Sequence, residues 1–261
     1  MRDQSARVTS FTLNMKPQLR RFLTAVAFVA ASLSLFAQGA KPYDPSIGAP
    51  KRGNARFYEL HSQHLKRAKE PMQLLFIGDS ITEGWGKAPA VWKANYEKYQ
   101  AANFGIGGDR TEHVIWRIED GVLKGVKPKV VVLMLGTNNS SNHTGQQIAA
   151  ADKKIVELIR SEIPEAKVLL LAIFPRGPRK DKEGKIIDDA VQRMQVINEA
   201  NAILAKLDDG KNVRFLDIGA KFLGADGKIP DAIMPDQLHP TAAGYQIWAD
   251  AMRPLLEEMM K

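Results

Sequence analysis

Leu74-Leu75-Phe76-Ile77-Gly78-Asp79-Ser80-Ile81-Thr82 opens as a run with no polar face and breaks at Gly-Asp-Ser. A strand that is apolar throughout is buried on both sides, as in a parallel sheet covered by helices. Working outward, similar runs recur at 130–135 and 168–174, with weaker ones at 100–104 and 213–217. Helical periodicity fills the gaps at 88–98, 111–120, 145–161, 188–207 and 241–260. A further helix is expected over 54–69, with Phe57, Leu60 and Leu65 on one side and Pro71 closing it. This alternation predicts a layered α/β domain with right-handed crossovers. No internal repeat, low-complexity tract or linker divides it, so one domain over 54–261 is expected, behind a Pro/Gly-rich lead-in at 41–53.

The chain has 261 residues, 44% hydrophobic and 25% charged, which excludes disordered, collagenous and coiled-coil classes. It contains no cysteine, so disulfides, thiolate metal sites and a cysteine nucleophile are excluded. The net charge of +8 first suggests a nucleic-acid binder. Half of that charge sits in residues 1–40, where Arg2, Arg7, Lys16, Arg20 and Arg21 face only Asp3. The remainder carries mixed charge without a basic stripe, so no nucleic-acid partner is expected.

Lys16, Arg20 and Arg21 precede an apolar run at 22–36, followed by the small residues Ala37, Gly39 and Ala40. That order predicts a secretory signal peptide over 1–40. A run of 15 residues is short for a membrane span of about 20, so no stable membrane insertion is expected after cleavage. Met15 would start a signal of more ordinary length, and 1–14 would then be a misassigned start; the start is left open. The expected location is periplasmic or extracellular.

In an open parallel sheet, ligands bind beyond the carboxyl ends of the strands. The five runs are followed there by Gly78-Asp79-Ser80, Gly105-Ile106-Gly107-Gly108-Asp109, Gly136-Thr137-Asn138-Asn139, Pro175-Arg176-Gly177 and, past a loop, Asp236-Gln237-Leu238-His239-Pro240. Ser80 suits a helix N-cap. It equally suits a nucleophile, given a base to take its proton. His239 is the candidate base, and Asp236, three residues earlier, is placed to orient it. Asp236 also suits a helix cap. Gly108 offers a backbone N–H unshielded by a Cβ, and Asn138 a side-chain amide, for a developing oxyanion. Turn geometry alone would also explain these two residues. Their joint placement at successive strand ends favours acyl transfer.

FIGDSIT, NFGIGGDRTEHV, LGTNN and DQLHPTAAGY together resemble the blocks of the SGNH (GDSL) hydrolase superfamily. They are most similar to the branch that holds the catalytic subunits of platelet-activating-factor acetylhydrolase type Ib. The resemblance spans about 55–258. It implies a flavodoxin-like α/β/α sandwich of three layers on a parallel five-stranded sheet, with no metal and no cofactor. It implies Ser80 as nucleophile, His239 as base oriented by Asp236, and Ser80 N–H, Gly108 and Asn138 as oxyanion donors. The activity implied is hydrolysis of short-chain esters by an exported serine esterase. A carbohydrate O-acetylesterase is the first specific reading. A lysophospholipase or short-chain lipid esterase is the second. A non-catalytic carbohydrate-binding module is the alternative of another class, though a pure binder has no use for both Asp236 and His239.

Asp79 and Asp109 are read as loop-holding hydrogen-bond partners, and Asn139 as the substitute donor for Asn138. Arg176 opens a charged, loop-like segment, 176–187, expected to rim the pocket. Trp85, Trp92 and Trp116 are read as core, with Trp85 close enough after Ser80 to line the pocket. His61 and His64 are read as solvent-facing, since no further zinc ligands stand nearby. The ester substrate is the one expected partner, and the oligomeric state is left open, a dimer included.

Overall fold

Alternate residues of β1 (Leu74–Gly78) point to opposite faces and find an apolar layer on each. Leu75 and Ile77 join one core with Val114, Ile115, Ile148, Ile155 and Ile197. Leu74 and Phe76 join the other with Ile81, Trp85, Tyr245, Trp248 and Met252. The computed structural model describes residues 43–188 and 190–261. The expected signal segment lies outside the described residues. Asp44–Lys261 form one compact unit.

The described elements run α1 (Ala55–Arg67), β1, α2 (Ser80–Glu83), α3 (Pro89–Tyr96), β2 (Ala102–Gly105), α4 (Thr111–Glu119), β3 (Val130–Met134) and α5 (Gly145–Glu162). Then come β4 (Lys167–Leu171), β5 (Arg179–Lys180), β6 (Ile186–Asp188), α6 (Val191–Leu204), β7 (Val213–Leu216) and α7 (Ala242–Met259). The main sheet has strand order β2-β1-β3-β4-β7 and is parallel throughout. That is the flavodoxin-like order, which reverses beside β1 and leaves a crevice at the carboxyl ends of β1 and β3. Gly78 pairs with Gly105 on one side and with Met134 on the other. The loops after three strands therefore leave the sheet at one level. Gly105 must be glycine, because a Cβ there would fall 2.2 Å from Glu83 N as α2 passes over β2.

Four readings are corrected. The run at 168–174 leaves the sheet after Leu171, because Ile173 N–H donates to the Asn201 side chain of α6. The charged segment 176–187 is not wholly a loop: β5 and β6 pair as an antiparallel hairpin, its tip organised by Asp181, whose carboxylate accepts from Glu183 and Lys185 N–H. The buried face of α1 is Phe57, His61 and His64, while Leu65 packs partly buried against the first core and Leu60 is half-buried. His61 and His64 are only 4% and 8% exposed, so the solvent-facing reading fails. His61 packs on Trp116 and bonds Asp120, while His64 stacks on Phe104. Burial pushes the His64 imidazole down to about 3, so it packs as a neutral ring.

Candidate active site

The loop after β1 turns at once into α2. Asp79 caps it, its Oδ1 accepting from Ile81 N–H at 2.9 Å. This places Ser80 at the first helical position, half-buried at the crevice. Ser80 Oγ lies 2.8 Å from His239 Nε2, although 159 residues separate them. His239 Nδ1 lies 2.6 Å from Asp236 Oδ2. One proton arrangement satisfies both contacts: Nδ1–H donates to the carboxylate and the serine hydroxyl donates to Nε2. Asp236 Oδ1 also accepts from the backbone N–H of His239 and Leu238, at 2.8 and 3.2 Å. Burial alone would raise the Asp236 carboxyl. The His239 N–H, the His239 ring and Arg179 outweigh it and hold Asp236 below the ordinary carboxylate range.

Between Asp236 and His239 the chain passes through Gln237 at φ +61°, a left-handed conformation uncommon for a side-chain-bearing residue. The turn is held from outside. Gln237 O accepts from Gly177 N–H, and Gln237 Nε2 donates to Asp231. The hairpin contributes Arg179, 3.5 Å from Asp236 Oδ2.

Gly108 sits at φ +71°, and its N–H has no acceptor among the described residues. Gly107 is the neighbour of Ser80: a Cβ built on it would lie 3.8 Å from Ser80 Cβ. Asn138 turns its amide inward, Nδ2 donating to Asp109 O at 2.8 Å and to Asp79 Oδ2 at 3.3 Å. The longer contact is the one an incoming oxyanion could replace. Asn139 is spent elsewhere. It is buried, its Oδ1 accepting from Thr111 N–H and its Nδ2 donating to Thr111 Oγ1 and Glu112. It ties the β3 loop to α4, and a substitute oxyanion role does not fit it.

Asp79 is fully buried; burial pushes its carboxyl up to about 7, with the charge of Asp109 adding. Asp109 is enclosed by two cations, Lys51 Nζ at 2.7 Å and Arg117 Nη2 at 2.9 Å. Arg176 is buried behind the β3 loop, donating to Thr137 Oγ1 at 3.1 Å and pairing with Asp188. Burial, with Arg193 adding, pulls its guanidinium down to about 10. Trp85 is removed from the pocket: Phe76, Tyr96, Tyr245 and Trp248 surround it. It borders a separate hollow with Trp92 and Asn103. Among the described residues no cluster of His, Asp and Glu is arranged to hold a metal ion.

Lys51, Glu83, Arg179, Arg193 and Asp152 were missed in the sequence. A lysine in the lead-in or an aspartate within a helical pattern carries no local signal of a distant partner. Asp152 of α5 is only 1% exposed, and neither carboxyl oxygen has a hydrogen bond among the described residues. Burial, with the charge of Asp79 adding, pushes its carboxyl well above the ordinary range. The folded protein therefore keeps a proton that the unfolded chain releases above about pH 3.9, and stability falls as pH rises past that value. Asp152→Asn removes this linkage. Its Tm is expected to exceed that of the parent at pH 8, with the gap closing towards pH 4. A calorimetric gap independent of pH would contradict it.

The profile of the GDSL-like lipase/acylhydrolase family matches residues 76–247. Platelet-activating factor acetylhydrolase IB subunit alpha2 of Rattus norvegicus is 36% identical over 223 residues, covering 83% of this chain and 89% of that protein. A solved structure from Bacteroides fragilis superposes with a TM-score of 0.64 at 23% identity, covering 82% of this chain and all of that one. Est24, a carbohydrate acetylesterase from Sinorhizobium meliloti, does so with a TM-score of 0.55 at 19% identity, covering 71% and 98%. At these identities the two structures speak for the fold.

Proposed function

We propose, on the premise that this chain belongs to the GDSL-like lipase/acylhydrolase family and is an ester hydrolase, that it removes short acyl groups, chiefly acetyl, through an acyl-enzyme on Ser80. The observation that carries this reading is the row Ser80–His239–Asp236, with contacts of 2.8 and 2.6 Å. Ser80 Oγ attacks the ester carbonyl carbon while His239 Nε2 takes its proton. Asp236 keeps the imidazole in the productive tautomer and stabilises the imidazolium. The oxyanion is received by Ser80 N–H, Gly108 N–H and, once it turns from Asp79, the Asn138 amide. Collapse breaks the bond to the alcohol, which leaves with the proton held on His239. Water then repeats the sequence on the acyl-enzyme and frees the acid.

The alcohol is a sugar hydroxyl. Lys180, Asp181, Asp231, Asp236 and Gln237, with Pro178 and Pro235 between them, line a depression of about 390 Å³ that reaches the carboxylate orienting the base, a mixed surface whose hydrogen-bonding groups suit a carbohydrate. A second reading has its own observation. Met194, Leu223, Ile229, Pro175 and Pro178 border a hollow of about 530 Å³ that shares Pro178, Asp231 and Gln237 with the first, suited to an alkyl chain. The relative named for platelet-activating factor favours that lipid reading. Acetate release from acetylated xylan, measured beside an acetylated ether phospholipid and p-nitrophenyl esters of increasing chain length, decides between them. Faster release from the polysaccharide supports the first reading. Preference for the phospholipid overturns it in favour of the second. Butyrate or longer esters outpacing acetate would overturn the acetyl preference and leave only the lysophospholipase form of the second reading.

The enzyme is exported. The basic residues Lys16, Arg20 and Arg21 before the apolar run at 22–36 support this. The secreted chain is expected to begin between Gln38 and Lys41 on N-terminal sequencing. Secreted material that still carries 16–36 would count against it.

A further inference from the structure

Residues 44–54 are more than a lead-in. Ala49 N–H donates to Glu112 O, and Thr111 Oγ1 donates to Pro45 O, so the segment is strapped across the start of α4. The strap delivers Lys51 to the loop after β2. Its side chain is 12% exposed, with Nζ 2.7 Å from both Gly107 O and Asp109 Oδ1. Asp109 is held in turn by Arg117, whose Nη1 also donates to Phe104 O. On the other side, Gly107 N–H donates to Glu83 Oε2 at 2.5 Å, and Glu83 pairs with Arg56. Both polar groups of Gly107 are therefore fixed, one by an anion and one by a cation.

The Gly107 carbonyl and the Gly108 N–H belong to one planar trans peptide, so they point in opposite directions. Whatever holds the carbonyl aims the N–H. A cation on a peptide oxygen also draws electron density from the nitrogen, and linked hydrogen bonds of this kind polarise one another. Gly108 N–H has no acceptor among the described residues, and the loop that carries it abuts Ser80.

We propose that Lys51 is a positioning residue for acyl transfer: by holding the Gly107 carbonyl it aims, and through the shared peptide strengthens, the Gly108 N–H that receives the oxyanion. This rests on the reading of Gly108 as an oxyanion donor given above. Lys51 touches no substrate. Its effect belongs to the transition state, where charge develops on the oxygen, and not to ground-state binding.

The test is p-nitrophenyl acetate hydrolysis by Lys51→Met, Lys51→Gln, Lys51→Arg and Ser80→Ala, with kcat expressed per site labelled to completion by a fluorophosphonate for the Lys51 variants and per folded protein for Ser80→Ala. Lys51→Met is expected to lower kcat per labelled site about tenfold, less than the 10²–10³ for losing a donor outright, because the N–H remains. KM should stay within about twofold, since the lost interaction is made only in the transition state. Lys51→Arg, which keeps the charge and the donors, should return to within about threefold of the parent. Lys51→Gln, which can reach the carbonyl without charge, should fall between. A strap that only stabilises the fold predicts another pattern: lower Tm and fewer labelled sites, with kcat per site unchanged. That pattern overturns the proposal. If Lys51→Met does not fold, equal kcat per site in the Gln and Arg variants overturns it instead. Turnover surviving in Ser80→Ala would remove the underlying reading, whatever the Lys51 variants do.

Discussion

Ser80→Ala is expected to leave a folded protein with no turnover above background, a loss of about 10⁶ in kcat, the scale seen when a serine nucleophile is removed. The fold should survive. The Ser80 hydroxyl has one side-chain contact, to His239, and α2 is capped by Asp79 and not by Ser80. Alanine also suits the first turn of a helix. His239→Ala should be nearly as damaging, and the double variant no worse than either, because nucleophile and base act as one unit. Steady-state kinetics with circular dichroism on the same preparations check this. A folded Ser80→Ala protein retaining more than a few percent of parental kcat would end the covalent mechanism.

Asp236→Asn carries the second large effect, and the structure sharpens its size. The amide oxygen of asparagine will take the place of Oδ1, because the backbone N–H groups of Leu238 and His239 both need an acceptor there. The amide nitrogen then falls where Oδ2 now meets His239 Nδ1, and two donors would face each other. The imidazole escapes by moving its proton to Nε2, which leaves no lone pair for Ser80. The comparable change in serine proteases costs about 10⁴ in kcat. A loss of about 10³–10⁴ is expected here, with KM little changed and labelling by a fluorophosphonate slowed in parallel. A loss under tenfold would mean that the orientation of His239 comes from the Gln237 turn alone.

Legibility differed by element. The sheet was readable because a strand buried on both faces writes its burial into consecutive residues, and β1 and β3 do so completely. Ser80, Gly108 and Asn138 were readable because each lies in the loop or turn after a strand, and Asp236 and His239 because they share a short spacing ahead of the last helix; the resemblance to a known superfamily orders them. Two histidines on α1 were misread because periodicity counts histidine as polar. The neutral imidazole of His64 stacks on Phe104 as a flat apolar ring, and the His61 ring packs on Trp116 while its Nε2 bonds Asp120. Trp85 is core as read, but its added place at the pocket fails because closeness in sequence to Ser80 says nothing about direction, and a short helical segment turned its ring into the second core.

What the sequence by itself determined is local: which runs pair as strands, which faces of most helices are apolar, and which loops carry reactive groups. Those follow from propensity and period, which act over a few residues. What only the tertiary structure decided is partnership. Ser80 and His239 meet across 159 residues, Lys51 and Gly107 across 56, and Gly145 N–H finds Glu199 across 54. The sheet order brings the ends of β1 and β2, and so Ser80 and Gly107, to one level, where the approach to α7 and the 44–54 strap deliver their partners; the third pairing joins the start of α5 to α6. A buried charge or amide then takes whichever partner that geometry places within about 3 Å, because leaving it unpaired costs more than any local preference supplies.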